Sequence, residues 1–513
     1  MSRNYSSRSG PVQPVDRERE PGDTAPPVDL NAIALDTMTR YGFYPRFSPQ
    51  VFREVNAIDP ERVLAGQRSA RDLRDLLWSS IDNWDSQDLD QIEYCEQGPG
   101  DELLIKVAIA DVDLYVPKDS RTDRHAAHNG TSVYTGVETF PMLPDRLSKG
   151  ISSLLPGQDH VAVVIEYTVL PDGDIRHGDI YRALVRNRAK LVYEEVGDWL
   201  EGTGPVPDAV REVSGIEEQV RLQWEATKRL RAFRMGRGAL DLETLEAQPV
   251  VEGGRVKDLV VQRQNAARSL IEEFMVAANE TMVTRLGSAG IPMLQRVVRV
   301  PLHWDEIVAT AAKFGEHLPP GPDAKALSRF LNRRREADPE RFPDLSLTIV
   351  KLIGHGEYVA YVPGEEPIGH FALAVIDYTH STAPNRRYVD MINQRLIKSV
   401  LEDDPAPYSR QDLEEHAEWL TGRDKASQKV ERFMRKASAA VLLRDRIGDS
   451  FDAFVTGVTE HGSFVRLIAP PAEGKVTEGG NGLRVGQKVR VRLIRTDPYH
   501  AHIDFARVGI LEE

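Results

Sequence analysis

The chain has 513 residues, 41% of them hydrophobic and 28% charged, the balance of a soluble globular protein with room for several cores. One cysteine, Cys95, excludes a disulfide framework or a multi-cysteine zinc site and suits a reducing cytoplasm, where we expect the protein. The net charge of −14 argues against a simple nucleic-acid coat but not against an enzyme with a local basic channel, and no stretch of ~18 apolar residues predicts a membrane span.

In chain order, residues 1–28 carry Ser, Arg, Gly, Pro and Asp with few large apolar groups, which predicts a disordered tail. Residues 29–75 read as helical. Asp29 is an N-cap candidate for a helix carrying Leu30, Ile33, Ala34, Met38 and Tyr41, and Gly42 ends it. Ser48-Pro49 opens a second helix, and Ser69–Trp78 is expected to form a third. Three short helices predict either a helix-turn-helix-like unit or a helical extension of the next domain.

From 76 to 440 the pattern is that of one large α/β unit. It has strands at Leu103–Ile109 and His160–Leu170 and a long helix striped by Ala267, Leu270, Ile271, Phe274, Met275, Ala278 and Met282. Residues 446–513 hold about five short strands, most simply an OB-fold barrel.

The stretch Ile81 to Gln91 holds four aspartates, Asp82, Asp85, Asp88 and Asp90. Extended backbone at 88–92 puts Asp88 and Asp90 on one face, and a turn can return Asp82 to it. Clustered carboxylates repel unless a hard cation such as Mg²⁺ neutralises them. The plain alternative is a solvated turn or a Ca²⁺ loop, although the EF-hand spacing is not met. Arg386 and Arg387 follow a Pro turn and can fork onto phosphate, or be ion-paired surface groups. Tyr134 can stack on a base, or belong to the core.

Together these segments resemble the ribonuclease II family, the RNB-type exoribonucleases. The likeness runs through Ile81–Gln91, Ile109–Val112, Thr131–Tyr134, Pro141–Pro144, Leu147-Ser148, Ala189–Tyr193, Phe274–Asn279, His370-Phe371 and Thr382–Tyr388 with Asp390. It implies a multidomain α/β protein. A small helical N-terminal unit precedes a large α+β RNB-type catalytic domain, and a C-terminal OB-fold β-barrel of the ribosomal-protein type binds RNA.

The resemblance further implies a processive 3′→5′ exoribonuclease that releases nucleoside 5′-monophosphates with one or two Mg²⁺ ions, Mn²⁺ being an alternative. Asp82, Asp88, Asp90 and Gln91 stand at its metal positions, and Asp88, Asp90 and Arg386 at its catalytic ones. Tyr134 matches its aromatic clamp on the 3′ end. Tyr193 and Glu431 match residues near the terminal ribose. Arg387, Phe464 and Tyr499 are the further RNA-binding candidates, with Phe451 equally placed for the barrel core. The implied partner is single-stranded RNA, or structured RNA with a 3′ overhang, bound by a monomer that does not touch a membrane.

Three departures stand out. Gln91 replaces the usual fourth aspartate and brings an oxygen but no charge, a loss that Asp85 is placed to offset. Leu242 falls where a second stacking aromatic belongs. Helices replace the cold-shock domains that precede the catalytic unit in many bacterial members, so the channel entrance differs. Gln91 and Leu242 keep a second reading open, an RNA-binding regulator on a degenerate catalytic scaffold. A DNA exonuclease is a weaker third.

Overall fold

The apolar runs between positions 79 and 192 build the central sheet, because β-branched and aliphatic residues buried on both faces need no alternation. In the computed structural model, which describes residues 28–511 apart from 244, 246, 253 and 254, seven strands form this mixed sheet. The tail expected to be disordered therefore lies outside the described residues, save for position 28.

The strands in chain order are β1 (Arg71–Asp72), β2 (Ser79–Asp82), β3 (Gln91–Gln97) and β4 (Leu103–Ala110). They continue as β5 (Val133–Tyr134), β6 (Thr139–Phe140), β7 (Asp159–Val169), β8 (Ile175–Arg186) and β9 (Ala189–Val192). The large sheet has the order β1-β8-β7-β4-β3-β2-β9, and β5-β6 is a separate hairpin. All neighbours are antiparallel except β1/β8 and β2/β9. The helix Ala266–Ser288 carries the predicted stripe and buries Ala267, Leu270, Phe274, Ala277 and Ala278 in the main core.

The helix Leu30–Arg40 starts where expected, Asp29 accepting from the Ala32 N–H at 2.9 Å. Pro49–Asn56 follows, capped by Ser48. The third helix differs from expectation. It spans Pro60–Ala65, with Asp59 accepting from the Arg62 N–H and Pro60 at the first position. Ser69–Trp78 is instead irregular and extended, β1 pairing with Ala183 and Leu184. Trp78 is fully buried, and its Nε1–H donates to Leu73 O at 2.8 Å, closing a loop where a helix was expected.

The N-terminal helices bury their faces in different places. Leu30, Ile33 and Met38 pack with Val430, Met434 and Ala437 of the long helix Arg410–Leu443, whereas Val51 and Val55 join the main core. The segment is thus an extension of the body.

At its far end the long helix puts Ala439, Ala440 and Leu443 into the core of a closed five-stranded barrel. Its strands are Ser450–Thr459, Gly462–Leu467, Glu473–Glu478, Lys488–Asp497 and His502–Ile510, the third pairing parallel with the fifth. Phe451 belongs to this core and is not free to stack on a base.

Candidate active site

Asp82 ends β2 and Gln91 begins β3, so the acidic stretch is the connection between two adjacent strands. A loop dense in carboxylates needs external supports to hold one shape. Asp82 Oδ1 accepts from the Asn83 N–H and Ser86 Oγ, each at 2.7 Å. Lys190 Nζ reaches across from β9 to the carbonyls of Trp84 and Ser86. Ser153 Oγ accepts from the Leu89 N–H and donates to Gln87 O. Asp90 is almost fully buried, and its carbonyl accepts from the Ala110 N–H at 2.9 Å.

The second half of the site comes from the loop before helix Tyr388–Glu402. Ser152 Oγ donates to Asn385 Oδ1 at 2.6 Å, and the Asn385 N–H donates to Asp90 Oδ1 at 2.8 Å. Arg386 Nε then stands 3.5 Å from Asp90 Oδ2, with 45% of its side chain exposed. This guanidinium is anchored by one carboxylate and still open to a ligand.

Arg387 behaves differently from expectation. Its Nε and Nη2 donate to the two oxygens of buried Asp390 at 2.8 and 2.7 Å, and Asp390 also accepts from the Ala383 N–H. With its fork closed on Asp390, Arg387 braces the loop and is not placed to hold RNA. An aspartate three residues on, within reach across a helical turn, was the sequence signal for this pairing.

Tyr134 lies at the rim of the site, 41% exposed, with its Oη 3.5 Å from Asp88 Oδ2. Its main-chain N–H donates to Glu431 Oε1 at 3.3 Å, so the long helix positions this ring. Tyr193 begins the helix after β9, beside Asp82 across the β2/β9 pair, and the Arg268 guanidinium lies 4.3 Å from its ring centroid. The structure therefore gathers Asp82, Asp88, Asp90, Arg386, Tyr134, Tyr193 and Glu431 in one place.

Other expectations part from this group. Asp85 is exposed on the turn. Leu242 packs beside Leu327, Phe330 and Leu331 in a helical cluster. Phe464 is half-buried and lines a cavity of about 420 Å³ between barrel and long helix, together with Lys351, Arg432, Arg435, Lys436 and Arg466. Tyr499 is exposed on the loop between the last two barrel strands. Sequence reasoning missed the supporting roles of Lys190, Arg268 and Asn385, whose partners lie far along the chain.

The electrostatics are those of a carboxylate cluster short of positive charge. Burial pushes Asp90 up to about 8, against the pull of Arg386 and the Asn385 N–H. Asp88 is raised by burial and by Asp82, against Arg386 and Lys149. Among the described residues no group of three metal-ligating side chains already converges on one point. The donor set nonetheless fits a hard divalent cation: it is all oxygen, partly buried, and relieved of its mutual repulsion only by added positive charge.

Residues 70–403 match the RNB domain family, and residues 449–508 match the RNase II-type exonuclease C-terminal S1 domain. Ribonuclease R of Thermotoga maritima is 30% identical, the alignment covering 95% of this chain and 71% of that protein. Mycoplasma genitalium RNase R in complex with ribose-methylated single-stranded RNA superposes with a TM-score of 0.84 at 23% identity, over 94% of this chain and 78% of that one. The same protein in complex with double-stranded RNA gives 0.83 at 24% identity, over 94% and 83%. These two structures share the fold described above.

Proposed function

Because the chain belongs to the RNB family of exoribonucleases, we propose that it is a Mg²⁺-dependent, processive 3′→5′ exoribonuclease that releases nucleoside 5′-monophosphates. The observation that carries this reading is the meeting of two distant segments at Asp90, with Arg386 beside it and Tyr134 against Asp88. Asp82, Asp88 and Asp90 would hold the cation. Bound there, Mg²⁺ supplies charge neutralisation and lowers the pKa of water.

This chain's own groups do the rest. Arg386 offers fixed N–H donors to a phosphate whose charge grows toward the transition state. Asn385 and Ser152 keep Asp90 Oδ1 in place, leaving Oδ2 toward Arg386 and the reacting phosphate. Tyr134 stacks on the terminal base, and Tyr193 with Glu431 reads the ribose hydroxyls that separate RNA from DNA. The cationic cavity beneath the barrel lies along the helix that carries Glu431 and gives the RNA backbone a path to the site. The double-stranded complex of the Mycoplasma relative supports structured RNA with a 3′ overhang as a second substrate.

Gln91 favours a second reading, an RNA-binding regulator without turnover. Single-stranded RNA labelled at either end separates the two. In Mg²⁺ a 3′ label is released at once as a mononucleotide and a 5′ label stays on a shrinking chain, with neither seen in EDTA. Tight binding with both labels intact would leave the regulator.

A further inference from the structure

Tyr193 is the first residue of the helix Tyr193–Glu201, and Val192 before it makes no side-chain cap. β9 runs parallel to β2 with Val192 opposite Asp82, so Tyr193 stands one residue past the end of the acidic strand. An uncapped helix start does little to fix its first side chain, so the hold on this ring comes from elsewhere.

It comes from the first turn of the helix Ala266–Ser288. Asn265 caps that helix, its Oδ1 accepting from the Arg268 N–H and its Nδ2 donating to Tyr193 O, each at 2.9 Å. The two helices approach so closely that a Cβ on Gly197 would collide with the Asn265 amide. With the backbone gripped in this way, the Arg268 guanidinium lies over the Tyr193 ring, 4.3 Å from its centroid. Its Nη2 donates to Glu194 Oε1 at 2.7 Å and reaches Asn83 Oδ1 at 3.4 Å. Asn83 is the residue whose own N–H donates to Asp82 Oδ1. Arg268 thus touches the ring, the residue after it and the turn of the acidic loop.

Only 17% of the Arg268 side chain is exposed, and its buried Nε has no hydrogen-bond partner among the described residues. The face of the Tyr193 ring therefore carries part of the compensation that a buried cation needs. A planar guanidinium can cover a ring and bond oxygens from its edge in one pose, which an ammonium cannot reproduce.

We propose that Arg268 is a positioning residue for sugar discrimination, holding the Tyr193 ring at a fixed place beside Asp82 so that its hydroxyl meets a ribose 2′-OH. The inference rests on the exoribonuclease reading above, in which Tyr193 meets ribose, and adds the residue that aims it.

The test uses the full chain in Mg²⁺ with matched RNA oligonucleotides ending in a ribose or a 2′-deoxyribose. Single-turnover rates for removal of the last nucleotide give the ribose preference. Arg268→Gln is expected to narrow that preference about tenfold, the worth of one hydrogen bond, as Tyr193→Phe does. The double variant narrows it no further, because both changes act through one hydroxyl. Should Arg268→Gln fail to fold, Arg268→Lys keeps the charge beside Glu194 and is read with the same expectation.

A residue that only stabilises the fold would slow both substrates by one factor and leave the preference unaltered, which overturns the proposal. Effects that multiply in the double variant overturn it too, since Arg268 would then act apart from Tyr193. Narrowing by Tyr193→Phe alone removes Arg268 and keeps the ribose reading. An unaltered preference in both single variants removes both residues from sugar recognition while hydrolysis stands. No shortening of RNA by the unaltered chain removes the hydrolytic reading as well.

Discussion

The Asn385 main-chain N–H donates to Asp90 Oδ1 at 2.8 Å, joining segments 295 residues apart. Because the donor is backbone, no side-chain rotamer stands between the Arg386 loop and the acidic loop. The same hydrogen bond sets Arg386 Nε at 3.5 Å from the other Asp90 oxygen. The half-exposed charge and the buried acid are thus held in one unit, the preorganisation that the proposed electrostatic stabilisation of a phosphoryl transition state requires.

Arg386 and Arg387 are neighbours with opposite duties. Arg386→Ala removes a half-exposed guanidinium, so kcat is expected to fall about 10²–10³-fold with little change in melting temperature. Arg387→Ala leaves buried Asp390 without its partner and is expected to cost about 3–5 kcal/mol of stability. Thermal melts with single-turnover rates distinguish the two, and interchanged effects would contradict the assignment.

Tyr193→Phe keeps the ring under Arg268 and removes only the hydroxyl. The preference for RNA over DNA of the same sequence is expected to narrow about tenfold, from loss of one hydrogen bond to ribose. Cleavage of matched RNA and DNA oligonucleotides reads it, and an unaltered ratio would place the ribose recognition elsewhere.

The cavity under the barrel predicts a salt signature. Arg432→Ala with Lys436→Ala removes two of its cationic lining groups. The slope of log K against log salt for single-stranded RNA is expected to flatten by about 1.4, at ~0.7 for each phosphate no longer neutralised. An identical slope would route the RNA elsewhere.

His370 carries a pH prediction. Burial, and then nearby Arg296, lower it to about 3, and its Nδ1 accepts from the Leu373 N–H. The unfolded chain binds this proton near pH 6.5 while the folded one refuses it, so the unfolded state holds more protons between about pH 6.5 and 3. This group's contribution to stability therefore falls as pH drops through that window, by up to about 1.4 kcal/mol per pH unit. His370→Asn removes the titration. Relative to the unaltered chain, its melting temperature is expected to rise steadily below pH 6.5, and a constant difference would contradict it.

Much of this site was legible in residue order because chemistry constrains it locally. The aspartate spacing, the Asp29 and Ser48-Pro49 caps and the stripe on Ala266–Ser288 are short-range signals. Part of what escaped was local and went unread, and part depends on partners far along the chain. Arg387 differs from Arg386 only through Asp390, three residues on, which closes its fork. Ser69–Trp78 has helical composition, yet Trp78 is drawn into the core and the chain must extend to reach β2. Asp59-Pro60 carries the same cap signal as Ser48-Pro49, in a helix too short to show an apolar stripe.

The central claim is that the carboxylates at Asp90, with Arg386, form the hydrolytic centre. The most direct test compares the unaltered chain with Asp90→Asn on 5′-labelled single-stranded RNA in Mg²⁺, measuring binding and shortening together. The account predicts a short end product without intermediates for the unaltered chain, and for Asp90→Asn undiminished binding with no shortening. Shortening by Asp90→Asn at the unaltered rate would contradict it.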